Sequence, residues 1–261
     1  MIPSAVREAA DILWRAWRDG VKIDALPPRC RPADRRQAYA VQAAVAEASG
    51  QALFGWKIAA TSAAGQKHIG VDGPLAGRLL RDRVFDCGAT VPLDHNGMRV
   101  AEAEFAFQIG KPLPARGRPY SVDEVLDAVD SLHPALEIPD SRYRDFVQAG
   151  APQLVADNAC ACWFVLGTAT GARWRDRDLA AHAVRAYRNG RFDRDGTGAN
   201  VLGDPRVALA WLTNELTAYS EGLLPGQVVT TGTCVTPLEI SPGEHVRADF
   251  GDFGEVEARF A

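Results

Sequence analysis

The chain has 261 residues, 47% of them apolar and 24% charged, enough to bury one sizeable core. Its 29 Lys and Arg against 33 Asp and Glu leave a formal net charge of −4, which argues against a nucleic-acid partner. No run approaches the roughly 18 uncharged apolar residues that cross a bilayer, so no membrane partner is expected. The first residues (MIPSAVREAADILWRAW) mix acids and bases into an apolar stripe, unlike a secretory leader, and predict a cytoplasmic protein. The five cysteines, at 30, 87, 160, 162 and 234, include one close pair, and its C-x-C spacing is not that of zinc or redox sites. Free thiols in a reducing compartment are expected. The basic cluster Arg29 to Arg36, broken by Pro32 and Asp34, reads as a solvated loop and helix start.

Ala5, Val6, Ala9, Ile12, Leu13, Ala16 and Trp17 recur at helical spacing and predict an amphipathic helix over 4–18, stopped by Gly20. Pro32 and Asp34 open a second helix that runs to Ser49-Gly50. From Phe54 the pattern shortens into β-like runs: a strand over 53–60, then a Gly-bounded loop over 61–73 with one helical turn. Met98 to Ile109 alternates cleanly. Ser121 to Glu124 is a capping box whose helix would take its stripe from Val122, Val125, Leu126 and Val129. Leu132 to Ile138 predicts a buried strand. Asn189-Gly190 marks a hairpin, with 179–187 as its first strand. Asp204-Pro205 opens a helix with a stripe of Val207, Ala208, Trp211, Leu212 and Leu216, ended by Gly222. The last 35 residues read as strands over 228–231, 246–250 and 256–260. This order lacks regular βαβ alternation, and Gly167 to Gly171 lacks the G-x-G-x-x-G spacing, so a dinucleotide-binding fold is not expected.

The chemistry concentrates in Val100 to Ile109 (VAEAEFAFQI), where strand geometry projects Glu102 and Glu104 from one face. Two carboxylates about 6 Å apart repel by roughly 3 kcal/mol at an effective dielectric near 20. On a wet surface that repulsion is screened, and the pair is only a solvated strand face. Glu137 adds a third acid inside an apolar run (LHPALEIP), where an unpaired carboxylate is costly. Three carboxylates from two strands suit a hard divalent cation, Mg2+ or Mn2+, whereas the five histidines are scattered and offer no ligand spacing. Lys57, in the apolar strand LFGWKIAA, either snorkels to solvent or faces that site as proton donor or anion holder.

These residues also carry a resemblance. The chain resembles the 2-hydroxypenta-2,4-dienoate (2-keto-4-pentenoate) hydratases and the sister 4-oxalocrotonate decarboxylases of the fumarylacetoacetate hydrolase superfamily. The likeness runs over nearly the whole length, through Gly55 to Ser62, Gly70 to Pro74, Glu102-Ala-Glu104, Pro134 to Arg142, Ala156 to Ala159, Leu202 to Pro205 and Thr231-Gly-Thr233. The resemblance implies an α+β fold, with a rolled, barrel-like mixed sheet over 53–261 behind a helical segment over 1–52. It implies a Mg2+ or Mn2+ ion on Glu102, Glu104 and Glu137, with Lys57 and Asp72 as acid–base residues. Thr61, Ser62, Asp157, Asn158, Cys160, Thr231, Gly232 and Thr233 would line the substrate. Two departures are Ala59-Ala60, where the family often has Gly-Leu, and Cys160, where it often has Ser, a stronger donor.

The implied reaction, in aromatic-compound catabolism, protonates the far end of a 2-hydroxydienoate and adds water at C4. The product is a 4-hydroxy-2-oxoacid, with enolate charge at the 2-oxygen held by the cation. Decarboxylation of a 2-oxo-3-enedioate is the alternative and would need a distal cation such as Arg142 or Arg144. Acylpyruvate hydrolysis, or a non-catalytic subunit bound to a related decarboxylase, are further alternatives. Family members form homo-oligomers, which is the assembly expected here.

Overall fold

A computed structural model describes all 261 residues. Two helices come first, α1 (Pro3–Asp19) and α2 (Arg35–Ser49). Gly20 and Gly50 close them in the left-handed conformation, and the Asp34 carboxylate caps α2 by accepting from the Gln37 amide. The chain then runs through β1 (Leu53–Ala59), α3 (Ala63–His68), β2 (Leu75–Leu80), β3 (Val84–Asp86), β4 (Thr90–Val91) and β5 (Val100–Ile109). It continues with α4 (Val122–Leu126), β6 (Val129–Ile138), α5 (Ala151–Ala156), β7 (Trp163–Leu166), β8 (Ala183–Arg188) and β9 (Arg191–Thr197). The last elements are α6 (Pro205–Ala218), β10 (Val228–Thr233), β11 (Leu238–Glu239), β12 (His245–Asp249) and β13 (Glu255–Phe260). None of these helices is long and apolar enough to cross a membrane.

The strands form two sheets. The larger runs β2-β1-β10-β5-β6-β7-β3, with β11 added beside β5, and mixes parallel and antiparallel neighbours. The smaller runs β4-β13-β12-β8-β9. This is the α+β arrangement that the resemblance implies, a curled mixed sheet behind N-terminal helices. β5 is the shared wall. Its Phe105 projects towards the smaller sheet and meets Phe250 and Phe253 edge-on at 5.0 and 6.2 Å. Its other face carries Glu102, Glu104 and Ala106 into the curl of the larger sheet. With both faces covered, Ala101 through Phe107 is buried except for half-buried Glu102, so the clean alternation does not mark a solvated face.

A core of 61 buried residues links α1 and α2 with both sheets. Six more, Phe54, Leu79, Ala106, Ala135, Phe164 and Val228, pack together inside the curl and make the floor on which the acidic residues stand.

Several expected details differ. Val129 is not on α4 but opens β6, because α4 stops at Leu126, one turn after its capping box. Strand β8 starts at Ala183, leaving 179–182 outside it. Helix α6 buries Ala208, Leu209, Leu212 and Leu216, while Val207 is 43% exposed. It ends at Ala218, and Ser220, not Gly222, takes the left-handed turn with φ 64°. Gly222 answers a different need: a Cβ there would sit 2.6 Å from the Leu113 carbonyl oxygen, so only glycine lets these backbones approach.

Candidate metal centre

Register builds the site. β5 and β6 pair antiparallel with Glu102 opposite Glu137 and Glu104 opposite Ala135, which brings all three carboxylates to one face. An oxygen from each lies within 4.8 Å of the other two. On the other flank of β5, β10 pairs with a slip: Thr230 faces Ala106, but Thr233 faces Glu104. The extra residue is a bulge at Thr231-Gly232, with Gly232 at φ 106°. The bulge turns the Gly232 amide onto Glu104 Oε2 (2.8 Å), and the Thr230 hydroxyl donates to the same oxygen (2.5 Å). A side chain at 232 would strike Thr61 Oγ1 at 2.1 Å, so glycine also lets Thr61 pack against the turn.

Lys57 enters from β1, which lies beside β10 with Lys57 opposite Thr230. It does not snorkel: the residue is 2% exposed, with Nζ 2.9 Å from Glu137 Oε1 and donating to the Ala159 carbonyl at 2.9 Å. Glu137 Oε1 faces that ammonium, whereas Glu104 Oε1 and Glu137 Oε2 are buried with no hydrogen-bond donor.

The electrostatics follow from that burial. Loss of water raises the carboxyl pKa of Glu102, Glu104 and Glu137; Lys57 opposes the shift in each. Glu137 is pushed up to about 7 by burial and by Glu102, and Glu104 is held well above the ordinary range by burial, Glu137 and Glu102. Burial alone would lower Lys57, but Glu137 and Glu102 outweigh it and keep the ammonium charged. With all three carboxylates ionised, as a bound cation would require, the Lys57 ammonium would leave two negative charges uncompensated. Orphaned oxygens, all-oxygen donors and that charge together fit a hard divalent cation.

Other residues singled out from the sequence lie in varied settings. Thr231 and Thr233 donate their hydroxyls to the Phe105 and Val235 carbonyls, at 2.9 and 2.6 Å. Ser62 caps α3 by accepting from the Gly65 amide at 3.0 Å. The Asp72 side chain is 93% exposed and 3.5 Å from Arg35, and makes no contact with the triad. Asp157 is buried in an ion pair with Arg142 and also accepts from Ser141 Oγ at 2.6 Å. Asn158 bonds to the backbone of Arg78 on β2, and Cys160 is a buried thiol whose pKa is pushed up to about 12, chiefly by burial. Arg142 is saturated by Asp157 and the Ala161 carbonyl, and Arg144 makes an exposed pair with Asp24. Arg142 is therefore not left to serve as a distal cation, and Arg144 lies at the solvent-exposed surface. The sequence reading missed Thr230 and Ala159. A glycine inside the run VVTTGT was the available signal for the bulge that brings in Thr230, whereas the Ala159 carbonyl left none.

The family described as Fumarylacetoacetate (FAA) hydrolase C-terminal matches residues 84–261. The 2-keto-4-pentenoate hydratase of Paraburkholderia xenovorans (strain LB400) is 32% identical over 263 residues, covering 100% of this chain and 96% of that one. The 2-oxo-hept-4-ene-1,7-dioate hydratase of Escherichia coli is 33% identical over 231 residues, 85% of each chain. Among solved structures, the 4-oxalocrotonate decarboxylase from Pseudomonas putida G7, complexed with magnesium and adipate, is similar with a TM-score of 0.90. That chain is 28% identical, with 100% of this chain and 99% of that one covered. Matched over most of its length by family and relatives alike, the chain belongs to the fumarylacetoacetate (FAA) hydrolase family.

Proposed function

We propose that the protein is a Mg2+- or Mn2+-dependent hydro-lyase that converts a 2-hydroxy-2,4-dienoate of the 2-oxo-4-pentenoate type into a 4-hydroxy-2-oxoacid. The observation that carries this reading is the set of three converging carboxylates, two of whose buried oxygens lack any donor, with one buried lysine at their edge. The names of its relatives at 32–33% identity support the hydratase reading.

Glu102, Glu104 and Glu137 would hold the cation, with Thr230 and the Gly232 amide fixing the orientation of Glu104. When bound, the ion supplies Lewis acidity that stabilises negative charge on the substrate's 2-oxygen. Lys57 holds a proton at Nζ beside the pocket and is the group that moves it to or from the conjugated chain. The apolar floor leaves Lys57, Glu104 and Glu137 almost fully buried, which strengthens electrostatic interactions in the pocket. Asp72 as a second proton carrier requires its segment to fold in from solvent. The variant Asp72→Asn tests that role, since full activity would leave Lys57 as the sole carrier.

Decarboxylation of a 2-oxo-3-enedioate is the second reading, favoured by the decarboxylase neighbour. Incubation with 2-hydroxypenta-2,4-dienoate and with 2-oxo-3-hexenedioate, with Mg2+ and with chelator, separates the two. The expected result is metal-dependent formation of 4-hydroxy-2-oxopentanoate. Release of CO2 from the diacid in place of hydration would overturn it.

A further inference from the structure

Asn158, Ala159 and Cys160 have φ of 58°, 50° and 61°. Three consecutive left-handed residues, none of them glycine, persist only where the surroundings over-determine them. Here both ends are braced. On one side the Arg78 amide donates to Asn158 Oδ1 (2.6 Å), and Asn158 Nδ2 donates to the Arg78 carbonyl (2.7 Å). On the other, the buried Arg142 guanidinium donates to the carbonyls of Asp157 and Ala161, while the Asp140 amide donates to the Cys160 carbonyl.

The neighbouring strand is cut to fit. Gly77 on β2 stands opposite Lys57 on β1. A Cβ at Gly77 would lie 2.3 Å from the Asn158 carbonyl oxygen and 3.1 Å from Lys57 Cδ, so glycine admits both the turn and the lysine stem. The outcome of all this is one contact: the Ala159 carbonyl is aimed at Lys57 Nζ. A lysine on a flexible stem beside three carboxylates would otherwise swing in among them and occupy the cation's place.

We infer that the left-handed turn 158–160 is a positioning device for Lys57, and that Asn158 is its positioning residue. The Ala159 carbonyl tethers the ammonium at the edge of the acidic cluster. Lys57 is thereby poised for proton transfer and kept out of the space the cation takes. The kinetic part of this inference rests on the hydratase reading; the structural part does not.

The test is Asn158→Ala, which removes both bonds to Arg78. In a crystal structure of the metal-free variant, the Ala159 carbonyl turns away and Lys57 Nζ moves in among Glu102, Glu104 and Glu137. With 2-hydroxypenta-2,4-dienoate and Mg2+, kcat falls on the order of 10²-fold while KM stays within about twofold. The variant Asn158→Gly removes the same two bonds at a backbone position, φ 58°, that glycine adopts without strain. It carries the same two measurements if the alanine variant does not fold. A Lys57 still bonded to the Ala159 carbonyl with kcat unchanged overturns the proposal, as does a fall of kcat that comes with a matching rise in KM and a lowered melting temperature. If the wild-type protein gives no hydration product, the hydratase reading fails, and the position of Lys57 in the variant crystal still decides the role of the turn.

Discussion

At the scale of single residues, the acidic cluster is unstable by itself and useful because of that. Glu104 is fully buried, and its carboxyl group is held well above its ordinary pKa, first by burial and then by Glu137 and Glu102. Glu104→Gln should therefore leave the metal-free protein as stable as wild type or more so, since the amide needs no counter-charge. The same change should lower turnover by on the order of 10²-fold or more through lost cation binding. Melting curves and assays of one preparation check both halves. Thr230→Val keeps the volume but removes a donor to Glu104, and should weaken Mn2+ binding about 10- to 100-fold by calorimetry, with little change in fold.

The pH dependence has a definite sign. Glu137 is raised from 4.5 to about 7, so the metal-free native state keeps a proton that the unfolded chain has lost. Its contribution to stability thus falls as pH rises from about 4.5 to about 7 and is level above that. A bound cation requires the deprotonated form. The gain in melting temperature on adding Mg2+ should widen across that window, and a gain independent of pH would contradict the assignment. Identity and spacing made these carboxylates legible in the sequence. Asp72 shows the limit, because motif position said nothing about its exposure beside Arg35.

At the scale of elements, alternation located β5, a compact apolar run located β6, β-rich composition located β10, and cap residues located α2, α4 and α6, because these signals are local. What failed was set by distant contacts. Val129 lies at a helical interval from Val125 but is drawn into β6 by its ladder with β5. Gly222 looks like a helix stop, yet serves the close approach of residue 113. Gly55 is of the same kind: a Cβ there would lie 1.9 Å from the Val228 carbonyl oxygen, across the parallel pairing of β1 and β10. Gly55→Ala should push those strands apart and cost about 1–3 kcal/mol or more by chemical denaturation. Because Lys57 rides on β1, its activity should fall by more than that stability loss explains.

At the scale of the whole molecule, the N-terminal helices carry no member of the triad, but they are tied to the part of the chain that does. The Trp17 indole on α1 lies under the guanidinium of Arg142 at 4.4 Å and that of Arg83 at 5.1 Å. Arg142 in turn braces the turn that tethers Lys57. Trp17→Ala should cost about 3–5 kcal/mol of stability, and its effect on kcat should exceed that of an equally destabilising change on β9. The mixed α+β class was legible from the helical start and β-rich end. The order of strands in the two sheets was not, since no local pattern encodes which non-adjacent segments pair.

Anomalous diffraction from a Mn2+-soaked crystal tests the central claim most directly. The expected result is one strong peak about 2.1–2.2 Å from a carboxylate oxygen of each of Glu102, Glu104 and Glu137, with Lys57 Nζ outside the ligand shell. A protein crystallised in saturating Mn2+ with no peak there, or with Lys57 filling that position, would contradict it.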